Sequence, residues 1–488
     1  MGKPVLGIDF GTTNTTAAWA DEAGVVRAVP LRDDGNPTMP TVVWYDGKGG
    51  VLAGQSALEM ALSDPDHTIY GFKRFLGRRY ASDFVHRLKD RFPYKIVPGP
   101  DGDVAFECHG RVRPIVETTF HVLQRVSELA NASARRPLEE VVLTVPAHAS
   151  FRQRRALRQA AEMAGLEVVA ILNEPTSAAL FAQRQMPDDL VLVFDLGGGT
   201  FDCTLLIARS GLLQVLATSG DGFLGGNDFD SKIVDEIVNQ YQERTGSDLR
   251  TDRVVMQRLG FAAEQAKIKL SQEERAVIAV RCIAGVGTGF VSIERGLPRP
   301  ELEALVAPLI ERALGLCDEM LEKAKKKRGD VGAILFVGAQ TRMPALRKRL
   351  IGAFKYDENR QPDPDLAVAQ GAALFANGLH IMTDVAPMSI GFMVPGGMSQ
   401  EIIAPSSIVP CVRKISLQRP VRGPLVMAFY EAVASTSTER EMLGSVKIEE
   451  LWLQLHQGPL FLEARMNREY ALELQAVTAD GAKLALKF

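Results

Sequence analysis

Short apolar runs that end in an aspartate and a glycine-containing turn occur twice in this chain. Val5-Leu-Gly-Ile-Asp9 passes through Phe10-Gly-Thr-Thr-Asn14 into a second run ending near Trp19, and Leu190-Val-Leu-Val-Phe-Asp195 passes through Leu-Gly-Gly-Gly-Thr-Phe-Asp202 into Cys203-Thr-Leu-Leu206. Extended runs joined by a tight Gly turn predict β-hairpins, and the duplication predicts two related halves. Between and after them, strand patterns alternate with helical ones. Val141–Val145 precedes a helix over 151–164 that carries Leu157, Ala160, Ala161 and Ala164 on one face, sets Arg152, Arg155 and Arg158 largely elsewhere, and stops at Gly165. Ala333–Val337 runs through the polar turn 338–344 into a basic helix. This alternation predicts α/β layers. Past residue 378 the pattern changes to short β-like runs punctuated by Pro and Gly, at 401–404, 425–430, 446–455 and 470–475, which predict a small, mainly β domain.

A length of 488 residues predicts more than one packing unit. With 46% hydrophobic and 24% charged residues the chain reads as soluble and globular, and no apolar run approaches the roughly 18 residues of a membrane helix. The 56 basic and 59 acidic residues nearly cancel, so charge nominates neither nucleic acid nor a membrane as a partner. The basic run Lys323 to Arg328 closes a helix beginning near 300, where positive charge complements the dipole. The 5 cysteines are scattered without a C-x-x-C pair, which predicts neither a disulfide framework nor a zinc site and fits a reducing, cytoplasmic location. The histidines are dispersed, so no metal site beyond a nucleotide-bound Mg²⁺ is expected.

A buried strand ending in Asp and followed by Gly-Gly-Gly-Thr presents backbone N–H groups in a concave turn that cradles phosphate oxygens without side-chain bulk. Two such turns facing each other would grip a triphosphate. Asp9, Asp195 and Asp202 then lie where Mg²⁺, held mostly through water, would meet the phosphates. The chain contains no G-x-x-x-x-G-K-[ST] loop and no strand-linked G-x-G-x-x-G fingerprint, which disfavours P-loop and Rossmann readings. Gly285-Val-Gly-Thr-Gly289 reads as a hairpin turn.

The ordered series Gly7–Asn14, Phe72–Arg79, Thr144–Ala147, Asn173–Ala179, Val193–Asp202, Gly220–Asp230, Ala263–Ser271 and Val337–Pro344 resembles the 70-kDa heat-shock (DnaK-type) chaperone family over nearly the whole chain. The resemblance implies an actin-like, ribonuclease H-like duplicated ATPase domain over 1–378, a linker at 379–385 and a β-sandwich substrate-binding domain over 386–488. It implies ATP or ADP with Mg²⁺ as cofactors and slow hydrolysis of ATP. Lys73 would sit beside the γ-phosphate, Glu174 would order the attacking water, and Thr200 would hydrogen-bond the same phosphate, with Asp202 completing the catalytic set. Gly11, Thr12, Thr13, Asn14, Gly197, Gly198, Gly199, Gly225 and Gly226 would line the phosphates. Glu264, Lys267 and Ser271, spaced to share one helix face, would grip adenosine together with Gly338, Ala339, Gln340, Arg342 and Asp365, and Arg342 would stack on adenine. Pro146 and Arg154 match a relay toward the peptide domain, and Phe392, Val394, Leu417 and Val426 match groove positions.

Five departures from the family pattern shape the expectation. The helical lid is absent from the sequence, so a lidless groove would exchange peptide quickly. Pro395 stands where an arch-forming side chain is usual, beside Gly396-Gly397. The linker Leu379-His-Ile-Met-Thr-Asp384 is less apolar than usual, which predicts weaker interdomain coupling. Val169-Ala170 replaces a basic contact for a J-domain co-chaperone, placing that contact in doubt at Ala170, and Ala339 replaces a glycine at the adenosine site. The leading expectation is a chaperone acting on apolar segments of unfolded clients, with a J-domain co-chaperone and a nucleotide exchange factor as further partners. The alternative is an ATP-sensing regulator that docks one dedicated partner. A sugar kinase or filament-forming ATPase would share the superfold, but the β tail argues against it.

Overall fold

The computed structural model describes residues 4–183, 189–209, 212–285, 289–356, 361–375, 381–386, 388–394, 398–405, 407–432, 440–467 and 470–487. Both Asp-Gly segments are hairpins. Val5–Phe10 pairs antiparallel with Asn14–Ala20, and Asp189–Leu196 pairs antiparallel with Phe201–Arg209. Each hairpin is extended in the same way. The first strand takes a parallel neighbour, Glu140–Val145 in one sheet and Ala333–Val337 in the other, and the second takes an antiparallel one, Val26–Ala28 or Leu212–Asp221. The repeat read in the sequence is therefore also a repeat of topology, in a mixed α/β chain with several sheets.

Helices Glu174–Ala182 and Ala367–Phe375 lie between the two sheets and hold them together. Their approach requires glycine at two positions. A Cβ on Gly371 would stand 1.7 Å from the Ser177 carbonyl oxygen, and one on Gly7 would stand 2.4 Å from that of Ala369. Ser177 Oγ donates to the Val368 carbonyl at 2.7 Å across the same contact. Helix Phe151–Met163 begins where Ser150 and Gln153 form a reciprocal capping box and ends before Gly165, whose φ of 75° is left-handed. One core gathers behind each sheet, around Phe72, Phe75 and Phe106 in the first half and Phe194, Phe201 and Phe336 in the second.

The C-terminal region forms two four-stranded sheets with a shared core of Met427, Phe429, Ile448, Leu462 and Ala464. Two expectations change here. The run 446–455 is not one strand: the strand ends at Ile448 and Glu450–Leu455 is a helix. Its leucines look alternating, yet only Leu453 turns inward, as one helical turn allows, while Leu451 and Leu455 stay exposed. The described part of the expected linker, Ile381–Val385, is a strand that pairs parallel with Leu212–Gln214 and antiparallel with Ile408–Val409. Backbone pairing seats this described part of the segment, independently of its leucine content. Leu379, Pro395, Gly396, Gly397 and the tip of the 285–289 turn lie outside the described residues. Among the described residues no helix is long and apolar enough to cross a membrane.

Candidate functional site

The two Gly turns meet face to face. A Cβ on Gly198 would fall 2.0 Å from Thr13 Oγ1, and one on Gly199 would fall 2.7 Å from Thr12 Cγ2 and 2.8 Å from Arg74 Nε. Around the second turn, the N–H groups of Gly226 and Asn227 donate to the carbonyls of Gly197 and Gly198 at 2.9 and 2.8 Å, so the start of helix Gly226–Thr245 is locked against it. Gly225 packs with equal closeness, its notional Cβ 2.5 Å from the Gly199 carbonyl carbon. The first turn is braced by Thr41, whose hydroxyl donates to the Gly11 carbonyl and whose N–H donates to that of Thr13.

Charge collects beside this contact. Lys73 Nζ lies 2.7 Å from Glu174 Oε1, with both side chains only 10% exposed. Asp195 and Asp202 stand opposite each other in the hairpin ladder, and Thr144 Oγ1 donates to Asp9 at 3.3 Å. Burial pushes the Glu174 carboxyl up to about 7 although Lys73 opposes it, and burial likewise raises Asp9 and raises Asp195 well above the carboxylate range. Burial works against the Lys73 ammonium, but Glu174, Asp9 and Asp195 outweigh it and hold its pKa above the usual lysine value. A cluster of desolvated carboxyls around one lysine has room electrostatically for a further cation. Arg74, buried and bonded through Nη2 to the Gly199 carbonyl at 2.6 Å, keeps its Nε without a partner beside the turn. These features fit Mg²⁺ and a polyphosphate: acidic oxygens for the metal, and an unmatched donor beside a cradle that a side chain would fill. A cavity of about 70 Å³, lined in part by Thr12, Lys73, Arg74, Pro146 and Thr200, lies at their junction.

The residues expected at the adenosine end divide into separate groups. Lys267 is buried and bonds the Gly226 carbonyl and Asp230 Oδ2, each at 2.9 Å, and burial raises Asp230 to about 6 against the pull of Lys267. Gln340 closes on the same point, its Oε1 3.0 Å from a notional Gly226 Cβ. Glu264 acts on Asp230 only through its charge. Ser271 bonds back to the Lys267 carbonyl at its helix end. Gly338, with φ of 82°, presses against the Leu196 carbonyl and is followed by the short turn that starts at Ala339. Arg342 is fixed by Asp363 and Asp365 in a pocket of about 510 Å³ whose other wall is Asp34–Thr38. Thr16 Oγ1 donates to the Asp365 carbonyl at 3.1 Å, tying that wall to the first hairpin.

The relay residues meet the C-terminal region. Arg154 is buried, with Nη2 2.5 Å from Asn173 Oδ1 and its guanidinium 4.1 Å over the Tyr470 ring. Asn173 Nδ2 reaches both Asp384 Oδ2 and the Tyr470 hydroxyl at 2.8 Å. The Phe151 N–H, at the start of the same helix as Arg154, donates to both carboxyl oxygens of Glu431 at 3.0 and 3.1 Å. Pro146 accepts the Ala149 N–H in the turn before that helix. Of the groove candidates, Phe392 and Leu417 are buried in the C-terminal core, Phe392 against Phe429, while Val394 and Val426 are half-buried. Phe392 pairs across to Phe429 on the neighbouring strand of its sheet, and Leu417 pairs with Leu460 in the other sheet. Ala170 is buried.

Sequence reading passed over Arg74, Thr41 and His148, whose Nδ1 lies 2.6 Å from Asp202 Oδ1. Arg74 had a signal in being next to Lys73, whereas Thr41 and His148 act only through the fold. These groups gather between two halves that repeat one topology. The Hsp70 protein family model matches residues 5–453, and the chain belongs to that family, whose members are ATPases.

Proposed function

We propose that the chain is an ATP-driven chaperone, with residues 1–378 as an actin-like ATPase domain, 379–385 as the interdomain linker and 386–488 as a β-sandwich for apolar segments of unfolded proteins. The observation that carries the ATPase reading is the face-to-face contact of Gly198 and Gly199 with Thr13 and Thr12 beside the Lys73–Glu174 pair. Bound Mg²⁺ would neutralise charge on the transferring phosphoryl group, and Asp9, Asp195 and Asp202 would hold it. Lys73 places an ammonium at the turn junction, Glu174 offers a carboxyl able to orient water, and Thr200 lines the same cavity. Phosphoryl transfer needs mainly such positioning and charge stabilisation. Lys267, Gln340 and Arg342 would bound the nucleoside.

The bonds of Arg154, Asn173 and Glu431 to the C-terminal region support communication between nucleotide and peptide domains. ATP turnover measured with and without an unfolded apolar peptide tests the reading. Stimulation by many peptides, abolished in Lys73→Ala and Thr200→Ala, is expected; a wild-type chain that neither binds nor turns over ATP would overturn it. The regulator reading is favoured by one observation, the uptake of Phe392 and Leu417 into the core. Unstimulated turnover together with one tight partner would support it instead.

A further inference from the structure

Away from the cleft, the fold brings a distant histidine, His109, to two potential ligands that are neighbours in the sequence, Asp64 and His67. Asp64, His67 and His109 place one ligand atom each within 4.8 Å of one another. Asp64 precedes the short turn Pro65–His67, and His67 Nδ1 lies 2.6 Å from Asp64 Oδ1. His109 comes from the tip of the hairpin joining Val104–Cys108 to Arg111–Pro114, and its ring stacks on that of His67 with centroids 3.5 Å apart and planes 13° from parallel. The two imidazoles and the Asp64 carboxylate therefore offer two nitrogen donors and one oxygen donor at one place.

The surroundings fix each of the three. His109 adopts φ of 49°, and its Nε2 donates to the Tyr45 carbonyl at 3.0 Å, which leaves Nδ1 as the atom with a free lone pair. A histidine that gives one ring N–H to a backbone carbonyl and offers the other nitrogen is the usual outer support of a metal ligand. Gly47 clears space for the ring, since a Cβ there would lie 2.8 Å from His109 Cγ. Trp44 Nε1 donates to Asp64 Oδ2 at 2.8 Å, orienting the carboxylate so that Oδ1 faces His67. The site is reachable, with the His67 and Asp64 side chains 26% and 27% exposed and His109 at the surface.

We propose that Asp64, His67 and His109 form a binding site for a zinc-class divalent cation, with water as its fourth ligand. Tetrahedral zinc with ligands at about 2.0–2.2 Å holds them roughly 3.4 Å apart. The ligand atoms, now within 4.8 Å of one another, close by at most about 1.4 Å, while the His67 Nδ1–Asp64 Oδ1 pair opens from 2.6 Å and the rings leave their stack. The cation replaces the hydrogen between His67 Nδ1 and Asp64 Oδ1, and that proton leaves to the buffer. Two imidazoles and one carboxylate select against Mg²⁺, which demands octahedral oxygen ligands, so nucleotide-associated Mg²⁺ does not compete. Bound metal would clip the 64–67 turn to the 104–114 hairpin and, through Trp44 and Tyr45, to strand Val42–Tyr45.

The test uses the full chain in excess Mg²⁺, titrated with Zn²⁺ by calorimetry and with Co²⁺ by visible absorption. One equivalent of Zn²⁺ and a tetrahedral Co²⁺ spectrum are expected. His67→Asn and His109→Asn should each weaken Zn²⁺ binding at least tenfold with melting temperatures in EDTA unchanged, asparagine being tolerated at the left-handed position. His86→Asn, on the exposed side of a separate helix, should bind as the wild type does. Wild-type Zn²⁺ affinity no better than that of the His67→Asn/His109→Asn double variant would overturn the proposal, as would equal weakening by His86→Asn. Should the double variant fail to fold, Zn²⁺ protection of His67 and His109 from carbethoxylation in the wild type decides the matter: protection supports the site and its absence refutes it.

Discussion

Replacing Lys73 by alanine separates what the Lys73–Glu174 pair does for the fold from what it does for turnover. The lysine is the cation 2.7 Å from a carboxyl that burial already holds at about 7, among Asp9, Asp195 and Asp202. Removing one partner of a buried pair costs about 3–5 kcal/mol, because the remaining charge loses its compensation. The pH dependence carries the sharper signature. A carboxyl whose folded pKa is raised binds more protons folded than unfolded, so stability falls as pH rises from its ordinary value of 4.5 to its folded value and is flat above. In the wild type the contribution of Glu174 therefore ends near pH 7. In Lys73→Ala the folded pKa moves higher, and from pH 7 to 8 the variant should lose up to about 1.4 kcal/mol, roughly 1 kcal/mol more than the wild type. Adding Glu174→Gln removes the charge and should restore most of the stability and abolish the extra slope, while ATP turnover stays reduced by roughly 100-fold or more in both variants. Urea unfolding at pH 7 and 8, together with steady-state turnover, reads all of this. Equal stability of Lys73→Ala and wild type at pH 8, or a double variant less stable than the single, would refute the electrostatic argument.

Gly198→Ala puts a methyl 2.0 Å from Thr13 Oγ1, so the two turns must separate; nucleotide affinity should fall at least tenfold by calorimetry, and Thr13→Gly should recover part of the stability lost. Burial raises Glu431 to about 7, so its contribution to stability falls from pH 4.5 toward 7; Glu431→Gln keeps an acceptor for the Phe151 N–H and should flatten that part of the urea-midpoint profile between pH 5 and 7. Met382→Pro interrupts the parallel pairing of Ile381–Val385 with Leu212–Gln214 and should expose the junction near residue 380 to limited proteolysis while the far-UV spectrum changes little.

The hairpins were legible because each is local: an apolar strand, a glycine turn and a second strand lie within one short window, and Gly165 and the Ser150–Gln153 pair mark a helix in the same way. What the sequence could not show depends on distance. His67 and His109 are separated by about forty residues and meet only because the hairpin tip folds over the 64–67 turn, so dispersed histidines became a cluster. Phe392 and Leu417 were chosen as apolar positions by resemblance, and apolarity alone does not distinguish a side chain that lines a groove from one that fills a core. The 446–455 run shows the same ambiguity at short range, since alternating leucines fit a strand as well as one helical turn.

The strand Ile381–Val385 bears on the proposed coupling between the two regions. Judged by side chains, the segment around 379–385 is poor in leucine, and weak coupling follows. Seated in the structure, it is the fifth strand of the second sheet, and its aspartate is held from the side by the first half of the chain: Asp384 accepts from Asn173 and from Thr176 at 3.2 Å, while Asn173 also bonds Arg154 and the Tyr470 hydroxyl. Burial raises the Asp384 carboxyl, and its hydrogen bonds from Val385, Tyr470 and Thr176 oppose that rise. Glu174, the partner of Lys73, immediately follows Asn173 and begins the helix that carries Thr176. On the proposed reading, a shift of Glu174 on nucleotide binding would reach, within one helical turn, the group that fixes Asp384, and through it the strand Ile381–Val385. Polar contacts that break one at a time suit a connection that must release, whereas a run of buried leucines would resist it through apolar area alone.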